Sequence, residues 1–224
     1  MSPTQEHLSP KRAYLLFYNA ISIILWLRIL LTVLTTHDPA STYTTLEPWT
    51  RWTQTLAVAE IFHSAAGKTR SRLTPLYHVH STNPRGEGIT RSPVFTTFTQ
   101  VFGRSVQVWA INYAFPAVTA PSWAYPAMLL AWSAADTVRY LYFVVMLAGL
   151  PIPAALKWLR YSLFFVLYPI GISSEWWLMY HAANATSSLF VAGIFYFFLV
   201  LYVPGTPMMY KYMVSQRRKT LARS

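Results

Sequence analysis

Apolar residues fall in six long runs separated by polar breaks: 13–34, 50–67, 94–118, 122–150, 153–179 and 183–203. A helix needs about 20 mostly apolar residues to cross a bilayer. The first run starts behind Lys11 and Arg12 and stops at His37-Asp38-Pro39. It is too long for a signal-peptide core and lacks a small-residue cleavage pattern, so it reads as a retained helix. The second run is the weakest, because Glu60 and His63 sit inside it. Pro204-Gly205-Thr206-Pro207 is expected to close the sixth, leaving 205–224 as a basic tail. The pattern predicts an all-α fold, a polytopic membrane helical bundle of about six transmembrane helices, as a single domain over 1–224.

Composition agrees. Of 224 residues, 54% are hydrophobic and only 11% charged, against about 25% charged in an ordinary soluble domain. Eighteen Lys and Arg against seven Asp and Glu leave a net +11. The basic residues gather in or beside alternate breaks: Lys11 and Arg12; Lys68, Arg70, Arg72, Arg85 and Arg91; Lys157 and Arg160; Lys211, Arg217, Arg218, Lys219 and Arg223. In or beside the other breaks only Arg51 occurs. By the positive-inside rule both termini are cytosolic. The charge therefore marks topology and lipid headgroups, and no nucleic-acid partner is expected. Cysteine is absent, which excludes disulfides, zinc–thiolate sites and thiol nucleophiles.

Three acids lie within the runs: Glu60, Asp136 and Glu175. An intramembrane ionisable group is by default a functional-site hypothesis. Asp136 and Arg139 are spaced to pair on one helix. Glu60 and His63 share that spacing, but two ligands without a third make a weak metal site, and no metal is expected. Glu175 has no basic residue three or four positions away. A carboxyl in apolar surroundings can exchange a proton near neutral pH, as general acid–base catalysis requires. Tyr168 precedes it by seven residues, close to two turns, so both face one way. Pro169 and Gly171 between them allow a kink and a close approach. The same spacing also suits a packed tyrosine and a glutamate bonded to a neighbouring helix. A third reading, a transporter relaying protons through Glu175, would call for paired broken helices in related halves. Only one broken helix and no symmetry are visible.

The stretch WLRYSLFFVLYPIGISSE (158–175) resembles the signature of the 3-hydroxyacyl-CoA dehydratases of very-long-chain fatty acid elongation, once called protein-tyrosine-phosphatase-like. YLLFYNAISIILWL (14–27), LAVAEIFHSAAG (56–67), RSPVFTTFTQVFGR (91–104), AADTVRYLYF (134–143) and YKYMVSQRRK (210–219) are similar to further segments of that family, in the same order. The resemblance implies a lyase of the endoplasmic reticulum membrane. It would remove water from a (3R)-3-hydroxyacyl-CoA to give a trans-2-enoyl-CoA. The family's Tyr and Glu map onto Tyr168 and Glu175, its arginine onto Arg160 and its glycine onto Gly171. The candidate substrate-binding set is Arg160, Gly171, Ser174, Arg139, Tyr140, Arg91 and Lys157. Dehydration needs one base and one acid, so no cofactor is expected. Glu175 is the preferred base and Tyr168 the acid, and the reverse stays open. The implied partners are acyl-CoA, membrane lipid and the other elongation enzymes: the condensing enzyme, the ketoacyl reductase and the enoyl reductase. The alternative is a family member without catalysis that acts as a membrane scaffold.

Two departures from the family pattern stand out. Gly67 and Arg91 are nearly contiguous in the family motif, whereas here a polar stretch, 68–90, separates them. It reads as a disordered insertion or a retained intron, since Gly-Lys can be encoded by the splice-donor-like GGTAAG. Asp136 stands where the family has Glu. The sequon Asn184-Ala185-Thr186 is expected too near the membrane for glycosylation.

Overall fold

The computed structural model describes residues 10–63 and 93–222. The stretch 68–90, Arg91 and Arg223 lie outside these residues. Helices are joined by short linkers, with no strand among the described residues. The first helix, α1, spans Pro10–Thr35. Two of its polar side chains bond back within it: Ser22 donates to the Tyr18 carbonyl at 2.8 Å and Asn19 to the Leu15 carbonyl at 2.6 Å. Three residues then lead into α2, Pro39–Leu56. Asp38 caps α2 by accepting from the Ser41 amide at 2.8 Å, with Pro39 in the first turn, where its missing N–H costs nothing. The chain is helical again over 58–63.

Next comes α3, Pro93–Val106, which continues as a π-helical stretch, Gln107–Tyr113. The wider turn puts residues five apart on one face, and Gln107 donates to Asn112 across that interval at 3.2 Å. A single turn, Pro116–Thr119, leads to α4, Ala124–Leu147. A short α5, Ala154–Ser162, is separated by Leu163 from α6, Phe164–Ala185. The last helix, α7, spans Leu189–Leu221.

The central helix is α4, flanked by α1 and α6, with α7 against α6. Its buried face carries Tyr125, Met128, Leu129, Trp132, Asp136 and Tyr140, at three- and four-residue intervals. Trp26 and Ile29 of α1 and Leu178 and Met179 of α6 complete the core around it. The outer faces are apolar as well: on α7, Leu189 is 91% exposed and Phe190 78%, and Phe17 and Ile24 of α1 are also exposed. Such a surface suits lipid rather than water.

The start of α1 and the end of α7 lie toward one side of the bundle. Arg12 Nε donates to the Leu147 carbonyl at 2.5 Å, so the start of α1 lies beside the end of α4. Arg217 Nε donates to Ser162 Oγ at 3.1 Å, which ties the end of α7 to the end of α5.

Several sequence expectations change. Among the described residues, two helices rather than six are long and apolar enough to cross a membrane, α1 and α7. The others carry polar interior faces, such as Glu47, Thr50 and Gln54 on α2, or are interrupted, as at Leu163. The second helix starts at Pro39 rather than residue 50, and the fifth run divides into α5 and α6. The sixth begins at Leu189, and it does not stop at Pro204. It runs through Pro204 and Pro207 to Leu221, so most of the expected tail is helix. Proline is tolerated within membrane helices, where neighbouring groups meet the freed carbonyls.

Candidate active site

Glu175 sits on the inner face of α6, buried. The carboxyl accepts two hydrogen bonds, one on each oxygen. Trp132 Nε1 on α4 donates to Oε1 at 2.7 Å. The Tyr202 hydroxyl on α7 donates to Oε2 at 2.8 Å. Both donors are neutral. Tyr168, two turns earlier on α6 and half-buried, donates its hydroxyl to the Thr206 carbonyl of α7 at 3.2 Å. Its ring lies 6.2 Å from that of Tyr210. Gly171, between the two, packs against α4. A Cβ there would lie 3.6 Å from Ala131 Cβ and 3.9 Å from Glu175 Oε1. A methyl group would therefore fit, whereas a larger side chain would push α4 and Trp132 away from the carboxyl. Ser174 is buried beside Glu175 on the same helix.

The other interior acids are bonded differently. Asp136 is held by two guanidinium groups, Arg104 at 2.6 Å and Arg139 at 3.1 Å. Glu60 accepts from both terminal nitrogens of Arg139, at 2.9 and 3.1 Å, and from the Tyr140 hydroxyl. Glu47 pairs with Arg51 at 2.9 Å. Arg104 joins this network to the site: its guanidinium stacks 4.0 Å above the Trp132 ring that bonds Glu175.

Tyr168, Gly171, Ser174 and Glu175 all lie on α6, with Tyr168 and Glu175 each bonded to α7. Arg139 and Tyr140 are not part of that group; their polar atoms are engaged by Glu60 and Asp136. Arg160 lies half-buried on α5, its guanidinium 5.6 Å from the Tyr161 ring, and Lys157 is one turn before it. Arg91 lies outside the described residues. The expected local partnership of Glu60 and His63 does not form. Glu60 turns to α4, and His63 meets the Tyr14 hydroxyl at 3.1 Å. No group of three or more metal-ligating side chains occurs among the described residues. Sequence reasoning missed Trp132, Tyr202 and Arg104. The first two reach Glu175 from other helices, across intervals that carry no spacing signal. Arg104, within an apolar run, was the one visible in principle as an intramembrane charge.

An open cleft of about 480 Å³ lies farther along α6, lined by Ser122, Trp177, His181 and Asn184 among others. Neither Tyr168 nor Glu175 lines it.

The profile of the family described as protein tyrosine phosphatase-like protein, PTPLA, matches residues 86–223. A probable very-long-chain (3R)-3-hydroxyacyl-CoA dehydratase of Schizosaccharomyces pombe is 36% identical over 220 residues, covering 96% of this chain and 95% of the relative. The very-long-chain (3R)-3-hydroxyacyl-CoA dehydratase PASTICCINO 2 of Arabidopsis thaliana is 32% identical, covering 96% and 95%. The human very-long-chain (3R)-3-hydroxyacyl-CoA dehydratase 2 is 28% identical, covering 94% and 81%. No solved structure matches.

Proposed function

The chain belongs to the protein tyrosine phosphatase-like family, and from that premise we propose that it is a very-long-chain (3R)-3-hydroxyacyl-CoA dehydratase that works through Glu175 and Tyr168. The observation that carries the site is the contrast among the buried acids. Glu47, Glu60 and Asp136 are each paired with arginine, whereas Glu175 is held by an indole and a phenol. A carboxyl bonded to neutral donors keeps proton-transfer chemistry that an arginine pair would suppress.

Glu175 takes the proton from C2 of the substrate, beside the thioester carbonyl. The electrons of that C–H bond become the C2–C3 double bond, and the C3–O bond breaks. Tyr168 gives its hydroxyl proton to the departing oxygen, which leaves as water. Glu175 then returns its proton to the tyrosinate, and the pair is restored. For this Tyr168 must exchange the Thr206 carbonyl for the substrate oxygen.

The acyl chain lies among the helices. The phosphates of coenzyme A lie at the end of the bundle where Lys157, Arg160 and Arg217 gather, with Arg91 from outside the described residues. That end faces the cytosol, the chain spans the endoplasmic reticulum membrane six times, and its partners are the condensing, ketoacyl-reducing and enoyl-reducing enzymes of the elongation cycle. The shortfall in apolarity of the four other segments is consistent with spans that keep polar faces inward. Residues 68–90 are an insertion or a retained intron, which transcript sequencing distinguishes.

The test is an assay of purified protein with a long-chain 3-hydroxyacyl-CoA. Glu175→Gln and Tyr168→Phe are each expected to lower turnover by about 10²–10⁴-fold. Full activity in either variant overturns the assignment. An inactive but well-folded unmutated protein supports a scaffold instead.

A further inference from the structure

The last helix touches both members of the pair. Tyr202 reaches Glu175 Oε2 at 2.8 Å, and the carbonyl of Thr206, one turn later, accepts from Tyr168 at 3.2 Å. Four residues on α7 thus match seven on the antiparallel α6. The reason lies in the direction of the side chains. Glu175 leans toward the start of α6 and Tyr202 toward the start of α7. We propose that α7 acts as a two-point clamp on the acid–base pair, with Tyr202 as a positioning residue for the Glu175 carboxylate.

This rests on the reading that Glu175 is the base. A carboxylate on a flexible side chain loses its advantage if its plane rotates, because proton abstraction needs a lone pair directed at the C2 hydrogen. Trp132 holds one oxygen from α4 and Tyr202 the other from α7. Two donors from opposite sides fix the plane and leave the remaining lone pairs for substrate. Both donors are neutral, so they orient the carboxylate without cancelling its charge. The groups facing Glu175 from the packed helices are Trp132 and, behind it, Arg104; on α7, Tyr202; and on its own helix, Tyr168. The second contact tethers Tyr168 through a backbone carbonyl, which no side-chain substitution at Thr206 removes. Tyr202 is therefore the position that can be tested.

The experiment compares Tyr202→Phe, Trp132→Phe and Glu175→Gln in purified full-length protein. Phenylalanine keeps the ring and deletes the hydroxyl. Tyr202→Phe is expected to lower kcat about ten- to a hundredfold with KM within about twofold. It should also shift the carboxyl infrared band that disappears in Glu175→Gln. Trp132→Phe, which frees the other oxygen, should shift the same band and guards against a folding defect peculiar to Tyr202. An unchanged kcat and an unmoved band in Tyr202→Phe, with Glu175→Gln inactive, overturn the clamp and leave Glu175 as base. Full activity in Glu175→Gln overturns the acid–base reading itself. A fall in thermal stability together with a rise in KM, without a band shift, marks Tyr202 as a packing residue and also overturns the proposal.

Discussion

What each buried carboxyl does follows from what its oxygens accept. Asp136 lies between Arg104 and Arg139, and its side chain is only 6% exposed. Replacing it with asparagine would leave two guanidinium groups facing each other across a neutral amide. Asp136→Asn is expected to cost about 3–5 kcal/mol of stability, because breaking a buried pair strands the remaining charge. Glu175→Gln should change stability by no more than about 1 kcal/mol, since the amide oxygen can still accept from Trp132 or Tyr202. Thermal unfolding in detergent distinguishes the two, and equal losses would refute the contrast. At Gly171 a methyl group meets its neighbours at ordinary contact distances, so Gly171→Ala should fold normally. Gly171→Leu should push α4 away and cost about 1–3 kcal/mol. The Asp136–Arg139 pair was legible in the sequence because both residues share a helix. The role of Glu60 was not: its partner, Arg139, is 79 residues away, and only docking of the helices selects it over His63.

Helix ends were less legible than helix existence. Two prolines, a glycine and a threonine at 204–207 look like a stop signal, and in water they would be one. Within the bundle α7 continues past them, where the Thr206 carbonyl and the Tyr210 ring meet Tyr168 of α6. The end of α4 is a case where the local signal does decide. Gly149 has φ 74°, and the Leu150 amide reaches back to the Val145 carbonyl at 3.2 Å, a glycine-based helix stop. Gly149→Ala should destabilise by about 1 kcal/mol, because a side chain strains that backbone. A denaturation midpoint equal to that of the unmutated protein would count against it. At the start of α2 the Asp38 carboxyl lies below its ordinary range, chiefly because the Ser41 amide, and then its hydroxyl, donate to it. A carboxyl lowered in the folded state stabilises above its unfolded pKa, and the effect fades as pH falls through the folded one. The cap should thus weaken at acid pH, below about 3.8. Asp38→Asn, which retains an accepting oxygen without the charge, should flatten the dependence of melting temperature on pH in that window. A slope unchanged by the substitution would place the acid sensitivity elsewhere.

Basic residues meet at one end of the described bundle. Lys11, Arg12, Lys157, Arg160, Arg217 and Arg218 share the end fixed by the Arg12–Leu147 and Arg217–Ser162 contacts, although they are scattered over three segments of sequence. Their grouping is what the positive-inside rule expects of a cytosolic face. The sequence shows this as alternation between loops, and the fold turns the alternation into a surface. If that end takes in the phosphate-bearing substrate of the proposed function, topology and function depend on the same charges. The orientation can be measured, because the chain has no cysteine of its own. His37 is exposed just past the end of α1, and Leu150 is 59% exposed just past the end of α4. The 26 residues of α1 extend about 39 Å, more than the roughly 30 Å hydrocarbon core of a bilayer, so the two positions should lie on opposite sides. In sealed microsomes a membrane-impermeant maleimide should label Leu150→Cys directly, and His37→Cys only after detergent opens the vesicles. Labelling of both without detergent would mean that α1 does not cross the membrane. The reverse pattern would put the basic end, and the mouth of the site, in the lumen.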